Sequence, residues 1–185
     1  MTVTLRTEAG PDAPALVLRP WTGADVAALI EVYRDPVLRR FTRVPVTGEA
    51  EARRWIAAQH EGWAGGHRRS FATWEGDRLV ANVVLKNVDP GGGSAEVGYW
   101  TAAEARGRGV APRALDALCR WAFGGLGLRR LDLRHQVDNP ASCRVAGKCG
   151  FPLVEVVPAS PPFPLDGHLH VRWRAESESA GDRSF

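Results

Sequence analysis

Lysine is nearly missing from this chain. Lys86 and Lys148 are the only two among 24 basic side chains, so arginine carries almost all the positive charge. The planar arginine fork pairs with phosphate and carboxylate in a bidentate way that lysine cannot. The formal net charge of +3 therefore fits an anionic ligand without requiring a polyanionic partner. Cysteine is scarce as well: Cys119, Cys143 and Cys149 form no Cys-x-x-Cys pair and no even-numbered set. That excludes a disulfide framework and fits a reducing compartment, with the thiols as structural residues. No apolar run approaches the length of a membrane span, and the first residues lack the basic start and apolar stretch of a secretory signal. The expectation is a soluble, cytoplasmic protein with no membrane partner.

The chain does hold enough apolar material for one core. At 185 residues and 44% hydrophobic it fits a single domain. After a flexible leader over residues 1–14, Ala15 to Arg19 reads as a strand. Thr22 and Asp25 form a capping-box-like start to a helix bearing Val26, Leu29, Ile30 and Tyr33, which Asp35-Pro36 ends. A second helix runs from near Thr47 to Trp63, with Glu49 and Glu51 in its first turn, where the helix dipole favours acidic residues. Phe71 to Trp74 and Leu79 to Leu85 make a hairpin. Ala95 to Trp100 is a further strand, in which Gly98 marks a bulge or a close backbone approach.

A helix from Ala111 to Ala122 follows, then a strand from Leu131 to Val137. Asn139 is an N-cap with Pro140 at the first position of a short helix that ends at Cys149-Gly150. Two strands, Leu153 to Val157 and His168 to Trp173, flank a stiff proline-rich loop containing Phe163, and the residues from 175 to 185 read as a disordered polar tail. Hairpins alternating with crossover helices predict an α/β domain over residues 15–174. Its sheet is mixed, mostly antiparallel and twisted, with about six to seven strands flanked by about four helices.

The run Arg106-Gly107-Arg108-Gly109-Val110-Ala111-Pro112 is where chemistry concentrates. It is no dinucleotide fingerprint, because Pro112 stands where a third glycine belongs, and it lacks the Gly-Lys-Ser/Thr of a P-loop. It is also too short and solitary for an arginine-glycine tract that binds nucleic acid, so none is expected as a partner. What remains is a strand, a glycine turn and a helix whose first N–H groups have no internal partners, a ready site for an anion.

Together these parts resemble the GNAT superfamily of acyl-CoA-dependent N-acyltransferases, whose phosphate-binding signature is Arg/Gln-x-x-Gly-x-Gly/Ala. Arg106 to Ala111 match it in full. Glu96-Val97-Gly98-Tyr99-Trp100, Asn139-Pro140-Ala141-Ser142, Gly150-Phe151 and the opening Leu18-Arg19-Pro20-Trp21 with Asp25 resemble the branch of ribosomal-protein N-terminal (alanine/serine) acetyltransferases. The resemblance spans about Leu16 to Trp173.

The resemblance implies acetyl-CoA as acyl donor. Its pyrophosphate would rest on the backbone of Arg106, Gly107, Arg108, Gly109, Val110 and Ala111, with at least one of the two arginines assisting. Its pantetheine arm would run beside Tyr99, Trp100 and Thr101 like an added strand, with Asn139 bonding the arm and Ser142 near the thioester sulfur. A primary amine, on a protein N-terminus or a small molecule, would attack the thioester directly in a ternary complex. A backbone N–H on a bulged strand near Val97 to Tyr99 would hold the oxyanion. A non-catalytic acyl-CoA sensor and, more remotely, a nucleic-acid-binding module are the alternatives. The chain would act as a monomer or homodimer.

Glu96, a charged residue in an apolar strand, is the first candidate for the base, against an outward-facing strand residue paired to an arginine. His135 is the second, against a hydrogen-bonded packing residue. The sequence departs from the family where many members carry a general-acid tyrosine, since that position is Ala146; Ser142 or solvent must then protonate the leaving thiolate. Gly147 beside it implies close packing. Cys143 has no base placed near it by the sequence, His168 and His170 read as acceptor-cleft lining or surface, and no metal is expected.

Overall fold

The computed structural model describes residues 3–175 apart from Asp12, Arg43, Gly92 and Phe163. Phe163 of the proline-rich loop and residues 176–185 of the expected polar tail thus lie outside the described residues. Within the expected leader, Leu5–Arg6 (β1) pairs antiparallel with Val17–Pro20 (β2) and the Thr7 hydroxyl accepts from the Leu16 N–H at 3.0 Å. These contacts anchor Leu5 to Thr7 within the segment expected to be flexible.

The next part of the chain is helical: Val26–Val32 (α1), Pro36–Phe41 (α2) and Glu49–Ala64 (α3). Helix α2 was not expected. Helix α1 stops at Val32 with Tyr33 as its cap, ahead of Asp35, whose carboxylate accepts from the Val37 and Leu38 N–H groups at 2.9 and 3.2 Å, with Pro36 at the first helical position. The pair expected to stop one helix therefore starts another.

Arg69–Glu75 (β3) and Arg78–Lys86 (β4) form the central hairpin, followed by Ser94–Thr101 (β5), Val110–Gly124 (α4), Arg130–Gln136 (β6), Pro140–Lys148 (α5), Leu153–Val157 (β7) and Gly167–Trp173 (β8). The eight strands form one sheet in the order β1-β2-β3-β4-β5-β6-β8-β7. Every pair is antiparallel except β5 with β6. Among the described residues, eight strands and five α-helices slightly exceed the expected numbers, and the mixed, mostly antiparallel class holds. Among the described residues no helix is long and apolar enough to cross a membrane.

Strand alternation sorts side chains onto two faces. Trp100 packs against Trp21 and edge-on to Tyr33, on the side covered by α1 and α3. Tyr99 reaches Ser142 of α5 on the other side, where Phe71 meets Trp121 of α4. The opening Leu-Arg-Pro-Trp segment has a structural task. Arg19 grips the buried Asp25 carboxylate through two bonds of 2.8 and 2.7 Å, and Trp21 gives its indole N–H to Asn82 Oδ1 at 2.9 Å. Asn82 also accepts from Ser70, so a buried amide on β4 satisfies two donors beneath the helices.

Candidate active site

Strands β5 and β6 pair in parallel only from Ser94–Arg130 to Val97–Leu133. Beyond Val97, β5 continues to pair with β4 and β6 with β8, so the two diverge. Ala102 donates its N–H to Val80 of β4 at 2.9 Å. Because strand amides alternate in direction, those of Trp100 and Gly98 also point to β4, whereas those of Tyr99 and Thr101 point to the open side. The sheet thus exposes a stretch of backbone in its middle.

A cleft of about 470 Å³ lies at this opening, in the size range of small-molecule sites. Tyr99, Trp100 and Thr101 line it from β5. Arg106, Gly107, Gly109, Val110 and Ala111 line it from the turn into α4, and Asn139 and Ser142 from the start of α5. The structure therefore brings together ten of the residues singled out in the sequence. Val37, Leu38 and Phe41 of the unexpected α2 complete the wall, and Arg144 and Lys148 join Arg106 in giving it positive charge. No carboxylate is among the described residues that line it.

Gly107 and Gly109 have φ angles of 76° and 75°, and an added Cβ at either would meet no protein atom within 4 Å. Open space beside left-handed backbone is what a ligand-facing glycine turn requires. The Arg106 N–H is already bonded to the Ala103 carbonyl at 3.3 Å, so the cradle of available amides begins at Gly107. Both flanking arginines are paired: Arg106 with Asp35, the cap of α2, and Arg108 with Glu75 at 2.6 Å. Arg108 does not line the cleft.

At the inner end, the Tyr99 hydroxyl lies 3.0 Å from Ser142 Oγ. Burial pushes the Tyr99 phenol up to about 12, so it keeps its proton at neutral pH. Ser142 is held by Asn139, whose side chain and carbonyl accept from the Ser142 N–H at 3.2 and 3.0 Å. The role of Tyr99 as partner of Ser142 was not read from the sequence. The family resemblance implied a place for the residue beside a pantetheine arm but gave no sign that its hydroxyl meets α5.

Other expectations are corrected. The pairing of β4 with β5 runs in unbroken register from Lys86–Glu96 to Ala81–Thr101, so β5 carries no bulge. Gly98 is explained by its other reading, since a Cβ there would come within 3.3 Å of Val84. Glu96 lies outside the cleft lining. Its two carboxylate oxygens are taken, one by the Lys86 ammonium at 2.7 Å and the other by the Asn87 amide at 3.2 Å. It has the ion pair of the competing reading, with lysine in place of arginine.

His135 also lies outside the lining. Its Nδ1 donates to the Gln136 carbonyl at 2.8 Å, and its Nε2 faces His170. Burial holds the imidazole below its ordinary pKa, against the pull of that hydrogen bond. Cys143, in turn, does have neighbouring bases: His168 Nδ1 and His135 Nε2 lie 3.2 and 3.5 Å from its sulfur. Cys149 and Cys119 are buried, and burial raises their thiols to about 11 and about 12. A Cβ on Gly147 would meet nothing within 4 Å, so no close packing requires that glycine.

Comparison with known proteins bears on the family and the fold. A ribosomal-protein-serine acetyltransferase of Escherichia coli (strain K12) is 33% identical over 86 residues, covering 46% of this chain and 48% of that protein. The match thus spans about half the length of that relative. Among solved structures, an acetyltransferase from Salmonella typhimurium that modifies the N-terminal serine of a 50S ribosomal subunit protein superposes with a TM-score of 0.77 at 21% identity, over 86% of this chain and 95% of that one. The microcin C7 self-immunity acetyltransferase MccE, in complex with acetyl-CoA and AMP, gives 0.79 at 18% identity, over 86% and 92%. These identities speak for the fold. The family model for the acetyltransferase (GNAT) domain matches residues 15–152, and the chain belongs to the GNAT acetyltransferase family.

Proposed function

We propose that this chain transfers an acetyl group from acetyl-CoA to a primary amine, the α-amine of a polypeptide N-terminus. The observation that carries the reading is the Tyr99–Ser142 pair, which shares one cleft with the glycine turn of Gly107 and Gly109. The turn and the unpaired first N–H groups of α4 suit a pyrophosphate. The open β5 edge suits an amide-bearing arm laid alongside it. The positive lining suits a ligand with several phosphate charges, and the names of the relatives support acetyl-CoA as donor and a protein N-terminus as acceptor.

In the reaction, the amine nitrogen attacks the thioester carbonyl carbon and the carbon–sulfur bond breaks. The Tyr99 backbone N–H faces the open side and is suited to hold the carbonyl oxygen as it gains charge. The Ser142 hydroxyl gives its proton to the departing thiolate and is resupplied by Tyr99, whose phenol, with its raised pKa, regains a proton from water at once. The amine's own proton passes to water, since both carboxylate oxygens of Glu96 are occupied and the ring nitrogens of His135 face elsewhere. Acetyl-CoA should raise the melting temperature of the protein. Peptides with a free N-terminus should then release CoA thiol, and the same peptides blocked at that amine should not. Absence of a shift with saturating acetyl-CoA would remove the donor assignment.

A further inference from the structure

Beside the cleft, but not lining it, four potential metal ligands converge from three elements. His135 Nε2 of β6 is 3.2 Å from His170 Nε2 of β8 and 3.5 Å from Cys143 Sγ of α5, which is 3.2 Å from His168 Nδ1 of β8. All four ligand atoms lie within 4.8 Å of one another. Four ligands set tetrahedrally around a zinc ion, with Zn–N about 2.0–2.1 Å and Zn–S about 2.3 Å, stand roughly 3.3–3.6 Å apart. The three short separations cluster around that range.

The outer ring nitrogens decide what the inner ones can do. A carbonyl oxygen only accepts, so His135 Nδ1, 2.8 Å from the Gln136 carbonyl, and His170 Nδ1, 3.1 Å from the Phe151 carbonyl, each carry their N–H. In neutral rings both Nε2 atoms are then lone pairs aimed at each other, with no hydrogen between them. A proton bridging that one pair would not account for Cys143 Sγ, which sits at the same point, 3.5 Å from His135 Nε2 and 3.2 Å from His168 Nδ1. Imidazoles that donate one nitrogen to a backbone carbonyl and aim the other at a common point have the arrangement of metal-bound histidines.

We propose that His135, Cys143, His168 and His170 form a tetrahedral zinc site that clamps the first turn of α5 to β6 and β8. One thiolate and three imidazoles without a carboxylate favour zinc over magnesium or calcium, which take oxygen ligands. Four protein ligands close the coordination sphere, so the site is structural. On binding, three Zn–N bonds and one Zn–S bond form, and the Cys143 thiol proton passes to solvent. The clamp holds the residue next to Ser142 and is independent of whether acyl transfer is the activity.

The test uses tag-free protein stripped with a chelator. Cobalt chloride should bind one ion per chain and give the visible bands of tetrahedral cobalt with a near-UV thiolate-to-cobalt band, and zinc chloride should abolish both. Cys143→Ser should lose the near-UV band. In the wild-type protein, zinc should slow alkylation of Cys143, resolved by peptide mass from the buried Cys119 and Cys149, by at least about tenfold, and chelator should restore it. This second readout needs no variant. Cobalt spectra without tetrahedral or thiolate bands, or equal Cys143 alkylation with and without zinc, would overturn the proposal.

Discussion

The Tyr99 hydroxyl and Ser142 Oγ, 3.0 Å apart, join the middle strand of the sheet to the first turn of a helix across the mouth of the splay. If the two pass one proton to one thiolate, removing either breaks the same relay. Tyr99→Phe and Ser142→Ala should each lower kcat by about 10–100-fold, at or below the usual range for general acid catalysis. KM for acetyl-CoA should change by no more than a few-fold. The double variant should be no slower than the worse single one, the non-additivity expected of groups acting as a unit. Multiplying effects in steady-state rates would assign the two hydroxyls separate tasks.

Glu96 offers a contrasting test on the same strand. A general base is worth about 10²–10⁴-fold in rate, whereas a carboxylate held by Lys86 and Asn87 supports the strand and little else. Glu96→Gln should keep turnover within about threefold across the working pH range, since exposed or half-exposed ion pairs contribute little. A loss of two orders of magnitude with the pH profile flattened would restore Glu96 as the base.

Much of this site was legible because its parts are local. The glycine turn, the start of α4 and the Asn139-Pro140 start of α5 each declare themselves within a few residues, and the structure gathers them at one cleft. What escaped was set by three-dimensional pairing. Tyr99 meets Ser142 across 43 positions of chain, and the partners of Glu96 and the convergence of Cys143 with three histidines likewise depend on which strands lie side by side. One miss was local. Asp35-Pro36 has the same N-cap and first-turn proline as Asn139-Pro140, and reading it only as a stop hid α2, which supplies Val37 and Phe41 to the cleft.

Two glycines with equally open surroundings should behave in opposite ways. Gly147 lies inside α5 without a positive φ, and a Cβ there touches nothing. Gly147→Ala should therefore stabilise the protein by about 0.5–1 kcal/mol through helix propensity, with activity retained. Gly109 sits at φ 75° facing the cleft. Gly109→Ala should cost about 1–2 kcal/mol for the left-handed conformation and, because its methyl enters the proposed phosphate position, weaken acetyl-CoA binding by at least about tenfold. Urea unfolding and ligand titration separate the two effects. Normal acetyl-CoA affinity in folded Gly109→Ala would refute the cradle.

Asp35 joins the cradle to α2 by capping that helix and pairing with Arg106. Burial pushes its carboxyl up, but Arg106 and the two helix N–H groups outweigh it, and the net pKa is lowered. A carboxylate whose pKa is lower in the folded state adds stability that is fully present above its unfolded pKa and is lost as pH falls through the folded value. Asp35→Ala should thus cost about 0.5–2 kcal/mol at pH 7, mostly through the lost cap, because the arginine pair is partly exposed and screened by solvent. The difference from wild type should shrink once pH falls below the usual carboxylate range, about 4. Denaturant midpoints of both proteins measured from pH 7 downward decide it: a gap that stays constant into acid would show that Asp35 supports α2 by packing and not by its charge.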